Sequence, residues 1–194
     1  MFFAQKIATA SVRDELEQLL GERRSHPTSR EFHDKAIDRL NRRFDAHISI
    51  LPYENRAHID TFNCHAYALG LYAIPAYRAL YERSGRYSAI VKGAFVAWLI
   101  KEGLVKECDE KPDAIVVYGS TRDVKHTGIV EQTGEFVRSK WARWEVYRHS
   151  PLEVPATYGF PCMFLERPNP SVIFASLKKW RASNSRSAAT APPS

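Results

Sequence analysis

No stretch of this chain is apolar for long enough to cross a membrane as a helix. The longest such run, Ala94 to Ile100, falls far short of the ~20 residues a span needs. The opening, Met1-Phe2-Phe3-Ala4-Gln5-Lys6, has no long apolar segment behind a basic start, so no signal peptide is expected. Cytoplasmic residence is the expectation, with signal-free export left open. Cysteine is scarce: three residues, Cys64, Cys108 and Cys162, an odd number without framework spacing. Free thiols are expected rather than a disulfide scaffold. No C-x-x-C or H-x-x-x-H pair occurs. Cys64, His65, Cys108 and His126 therefore do not read as a zinc set, and neither a metal nor a cofactor is expected. The glycine patterns of P-loop and dinucleotide sites are absent, as is a Gly-x-Ser-x-Gly elbow. There is no internal repeat.

Acidic side chains are missing after residue 168. The net charge is +6, but residues 1–60 balance ten basic against ten acidic side chains, and 61–168 carry fourteen against twelve. Segment 169–194 carries four basic and no acidic residues. Most of the excess thus lies in a tail. A nucleic-acid surface would gather its basic residues on a folded face beside stacking aromatics. Only Lys178-Lys179-Trp180-Arg181 has that character, so nucleic acid is not expected as a partner.

What the chain does have is 44% hydrophobic residues over 194 positions, enough for one domain with appendages. Residues 1–24 read as helix, with Leu16, Leu19 and Leu20 on one face and Gly21 at its end. Thr28 and Glu31 form a capping box for a second helix striped by Phe32, Ala36, Ile37, Leu40 and Phe44. These two helices are expected to dock on the core and to offer a surface for a partner protein. Around Ile48, Ile50 and Leu51 the chain reads as extended. Further helices are expected from Cys64 to Leu71, Ala76 to Arg83 and Ser88 to Lys101. Past Pro112 the period changes. Ala114–Tyr118, Thr127–Glu131, Glu135–Arg138, Trp144–Arg148 and Cys162–Leu165 read as short strands around tight turns. Helices first and strands afterwards indicate an α+β fold with an antiparallel meander. Residues 171–180 suit a short helix, and the last dozen read as disordered. The expected organisation is an N-terminal helical extension over 1–60, a core domain over 61–168 and a basic, mostly disordered tail over 169–194.

The chemistry concentrates in Asn63-Cys64-His65-Ala66-Tyr67. Asn63 is a preferred N-cap residue and places Cys64 in the first helical turn. Unpaired N–H groups and the partial positive charge there favour a thiolate and can stabilise an oxyanion. His65 projects about 100° away from Cys64 and reads as a surface or supporting residue. Downstream, His126-Thr127-Gly128-Ile129-Val130 puts a histidine just before a strand. A thiol nucleophile needs such a base within reach. If Thr133-Gly134 forms a two-residue hairpin loop, His126 faces Trp141 and Ser139 lies diagonally on the same face. With a three-residue loop, Lys140 faces His126 instead. Ser139 is then the first candidate to orient the imidazole, with His149 and Glu145 as alternatives for a longer hairpin.

Asn63-Cys64 at a helix start, the Lys111–Tyr118 strand and the His126–Val130 strand resemble the NlpC-type and CHAP-type papain-like cysteine hydrolases. Ser139-Lys140-Trp141, His149 and Val154–Gly159 look like a bacterial branch of that group. The resemblance covers Asn63 to Arg167. It implies a papain-like α+β fold with helices packed on a small antiparallel β-meander. It also implies Cys64 as nucleophile and His126 as general base and acid, acting on a peptide or amide bond, peptidoglycan fragments among the substrates. Tyr53 resembles in placement an upstream tyrosine that assists the oxyanion hole. The alternative is a catalytically inactive papain-like fold that serves as a binding or regulatory module.

Overall fold

Helices cover both faces of a single antiparallel sheet. The computed structural model describes residues 10–25, 30–52, 61–84, 90–141 and 145–189. Among these, the helices are α1 (Ala10–Ser25), α2 (Arg30–Phe44), α3 (Cys64–Ala68), α4 (Pro75–Ser84), α5 (Gly93–Lys101) and α6 (Pro170–Ala189). The strands are β1 (Ser49–Ile50), β2 (Glu107–Cys108), β3 (Ile115–Gly119), β4 (Val124–Val130), β5 (Val137–Lys140), β6 (Val146–His149) and β7 (Pro161–Leu165). They form one seven-stranded sheet in the order β1-β6-β5-β4-β3-β7-β2. Strands β3 to β6 make the expected meander, but β7 returns to pair with β3 and keeps β2 at the edge. The fold is α+β with an antiparallel sheet. No helix among the described residues is long and apolar enough to cross a membrane.

Strand alternation sorts the core into two layers. Ile115, Val117 and Ile129 pack with Ala66 and Tyr67 of α3, Phe95 and Leu99 of α5, and Ile173 and Leu177 of α6. Ala114, Val116, Tyr118, Val130 and Val137 turn to the other side, where Val154 joins them. On that same side Val12, Leu16 and Leu20 of α1 and Ile37 and Leu40 of α2 pack with Trp141 and Tyr147. Each Val, Leu, Ile or Phe among them contributes ~1.5–3 kcal/mol when fully buried. The first two helices thus cover the β5–β6 end of the sheet, and Arg13 and Glu17 tie α1 to the Ala156–Gly159 segment.

Several boundaries differ from the sequence reading. α1 runs past Gly21 to Ser25, since glycine weakens a helix interior without forbidding it. The capping box at Thr28 lies outside the described residues. Segment 169–194, read as a mostly disordered tail, is helical over Pro170–Ala189. Ile173, Phe174 and Leu177 supply a buried stripe that anchors it. β5 starts at Val137, two residues late, because Glu131 N–H bonds to Phe136 C=O and closes the turn there. His126 does not precede β4 but sits inside it, since the turn at Ser120–Asp123 is tight and pairing resumes at Val124.

Candidate functional site

Cys64 opens α3 as expected, and Asn63 is the reason the helix starts there. Its backbone is extended, at φ −109° and ψ −175°, and its side-chain oxygen accepts the Ala66 N–H at 3.2 Å. Its Nδ2 donates to Val91 C=O at 2.6 Å, which pins the helix start to the chain entering α5. Such a cap stabilises a helix by about 1 kcal/mol. The helix is only one turn and a half, and all five of its residues are buried. A short helix has a weak dipole, so the thiol depends on its immediate contacts.

Those contacts act in both directions. Burial pushes the Cys64 thiol up to about 11, outweighing hydrogen bonding to the backbone of Thr127, His65 and Cys64 and the charge of Lys140, all of which favour the thiolate. The expectation of a lowered pKa is therefore corrected. The stabilising groups are present, but desolvation wins in the resting protein. Lys140 is fully buried, with Nζ 4.9 Å from the Phe62 ring centroid. His65 is buried too, not on the surface. Its Nδ1 lies 3.1 Å from Thr127 Oγ1, and burial lowers its pKa to about 4. It is a neutral imidazole at neutral pH.

The structure does not bring His126 to the thiol. Successive strand residues point to opposite faces. Thr127 meets His65 of α3, so His126 turns to the α1 side. There it stacks on Tyr158, with ring centroids 4.1 Å apart at 9°, and tilts against Tyr118 at 5.4 Å. Burial, then His149 and His65, hold its pKa well below the usual histidine range. Among the described residues neither ring nitrogen has a hydrogen-bond partner.

Ser139 and His149 lie on His126's face but bond to each other. The register Ile129↔Arg138 and Val130↔Val137 is the one a turn centred on Thr133-Gly134 demands. Extended, it puts Ser139 where the hairpin arithmetic expects it and turns Lys140 toward Cys64. Trp141 Nε1 donates to Ser139 Oγ at 2.9 Å, and Ser139 Oγ lies 2.7 Å from His149 Nε2. His149 Nδ1 faces the Ser150 carbonyl at 2.7 Å. A carbonyl only accepts, so Nδ1 carries the proton and Nε2 accepts from Ser139. Ser139 orients His149, therefore, and not His126. Glu145 meets Trp141 only through its backbone carbonyl. Tyr53 lies outside the described residues. Cys108 is half-buried and Cys162 exposed, both free. Among the described residues no group of three or more His, Cys, Asp or Glu side chains is placed to hold a metal ion.

Two residues of the thiol's surroundings are not assigned to it by the sequence. Thr127 is hidden behind its neighbour His126. Lys140 reads as a partner of His126 only under a three-residue loop; the two-residue register turns it to the other face, toward Cys64. A comparison of the chain with protein-family models, with curated proteins and with solved structures finds no match.

Proposed function

We propose that this chain is a thiol hydrolase that attacks an amide-type carbonyl through Cys64, on a papain-like arrangement of a cysteine helix against an antiparallel sheet. The observation that carries the reading is the Asn63-capped helix start. It sets the sulfur against β4 beside hydrogen-bonding backbone at Cys64, His65 and Thr127, with the charge of Lys140 also favouring the thiolate. The same N–H groups suit a developing oxyanion. In this reading Lys140, rather than His126, is the cation at the sulfur. Attack by Sγ breaks the amide C–N bond and gives an acyl-enzyme, the amine leaves with the proton that the thiol gave up, and water then splits the thioester to release the acid and restore the thiol. Peptide or amide substrates, muropeptides among them, and residence in the cytoplasm belong to the same proposal.

A second reading is favoured by the burial of the thiol and by the placement of His126 across the sheet. In it the chain is a catalytically inactive binding module. Turnover of muropeptides and acyl amides by the wild type and Cys64→Ala separates the two. The hydrolase reading expects turnover that falls at least about a hundredfold in the variant, as for loss of a nucleophile. Turnover that survives the substitution defeats the nucleophile. No turnover, with Cys64 alkylating no faster than Cys108 or Cys162, supports the module.

A further inference from the structure

Across the sheet from Cys64, a second set of polar side chains is buried. Arg13 of α1 is 5% exposed, and Tyr118 of β3 and His126 of β4 are fully buried. Arg13 Nη2 donates to the carbonyls of Gly159 at 2.5 Å and Ala156 at 3.4 Å. Its guanidinium lies 4.3 Å from the ring centroid of Phe160. Among the described residues, Arg13 Nη1, the Tyr118 hydroxyl and both His126 ring nitrogens have no hydrogen-bond partner. Tyr118 is the register partner of His126 and its ring tilts against the imidazole, while Arg13 holds the Ala156–Gly159 segment whose Tyr158 stacks on His126.

Leaving a buried polar atom unmatched costs about 1–3 kcal/mol, and more for a charged group. Native proteins rarely carry several together. Beside this set, the chain from Trp141 through Ser139 and His149 to Ser150 is hydrogen-bonded at every step. Four of the six unmatched buried side-chain atoms among the described residues belong to these three side chains; the other two, Glu110 Oε1 and Arg138 Nε, lie apart from them. The three side chains also share a chemistry. A guanidinium N–H, a phenolic O–H and one imidazole N–H are all donors. Among the described residues the guanidinium donates to neutral carbonyls. Asp14 acts on it electrostatically, and Glu17 bonds to Thr157 instead. A buried cation with neighbouring donors is complementary to an anion with several acceptor oxygens.

We propose that Arg13, Tyr118 and His126 form a binding site for a small oxyanion, the phosphate or carboxylate group of a ligand. Arg13 supplies the charge and the Nη1 donor, Tyr118 its hydroxyl, and His126 one ring N–H. Phe160, which is 64% exposed and covers the guanidinium, is the side chain that an entering ligand would have to displace. The site lies on the face of the sheet opposite Cys64 and does not depend on the thiol reading.

The test is thermal unfolding of the full chain, followed by circular dichroism, against sodium phosphate and separately against sodium acetate. Ionic strength is held constant with sodium chloride. One of the two anions is expected to raise Tm to a plateau, by about 5 °C or more at a hundredfold excess over Kd. The responding arm identifies the oxyanion. Arg13 also holds the Ala156–Gly159 segment, so Tyr118→Phe, which removes one hydroxyl and keeps the ring, is the deciding variant. Its titration midpoint is expected to move at least about threefold to higher concentration, the loss of one hydrogen bond. A rise without a plateau, no rise with either anion, or an unchanged midpoint in Tyr118→Phe overturns the proposal. Each of those results leaves ordinary buried water as the partner of these donors.

Discussion

At Cys64, burial and hydrogen bonding compete over one proton. Burial alone would keep the sulfur protonated; the backbone of Thr127, His65 and Cys64 and the charge of Lys140 draw it toward the thiolate. Burial prevails, so the reactivity of the thiol is limited by the fraction ionised. Lys140 is the contribution that a single substitution can remove. Lys140→Met keeps the length of the side chain and its packing on Phe62. Without the cation the thiol pKa rises further. Alkylation of Cys64 by iodoacetamide at pH 8 is expected to slow about tenfold for each pKa unit gained. Cys108 and Cys162 serve as internal references, read by mass spectrometry of each peptide. An unchanged Cys64 rate removes Lys140 from the thiol's electrostatics.

The elements hold the site by close approach, and glycine shows where. A Cβ at Gly93, the first residue of α5, would fall 1.9 Å from the Val124 carbonyl oxygen of β4 and 3.5 Å from His65 Nε2. Backbone on backbone cannot yield as a side chain does. Gly93→Ala is expected to cost about 3 kcal/mol or more by overpacking. Gly21 lies in α1 with nothing within 4 Å of its added Cβ, so Gly21→Ala is expected to stabilise by about 0.5–1 kcal/mol. Urea midpoints of the two variants check both signs. That α5 packs against β4 at Gly93 was not legible in the sequence, where Gly93 sits within one apolar segment. The existence of α3, α4 and strands β3 to β7 was legible, because each has its own period and turn residues. The direction of His126 was not. A strand with one wet face reveals its faces by alternation. Here Ile115 to Tyr118 are all buried, since helices lie on both sides of the sheet. With both faces apolar, the pattern does not say which one α3 covers. A one-residue change of register reverses the answer.

The whole molecule pays for its two covered faces in acid stability. Three histidines are buried among the described residues: His65, His126 and His149. Burial is the first cause of the lowered pKa in each, to about 4 for His65 and His149 and well below 6.5 for His126. Well above pH 6.5 all three are neutral in both folded and unfolded chains. As pH falls below 6.5 the unfolded chain takes up protons that the folded one refuses. Stability therefore drops with falling pH, by about 1.4 kcal/mol per unit for each histidine. For His65 and His149 the loss levels off only near pH 4. Three together approach about 4 kcal/mol per unit, against total stabilities of about 5–15 kcal/mol. On the alkaline side the sign reverses. The Cys64 thiol is raised from 9 to about 11, so the unfolded chain releases its proton first and stability falls as pH rises between those values. The plateau is expected between pH 6.5 and 9. Urea midpoints measured at half-unit steps should fall steeply from pH 6.5 to 5, a window in which ordinary carboxylates are still ionised. A flat profile across that window would mean that these imidazoles meet water, and with it the two-sided burial of the sheet would be wrong.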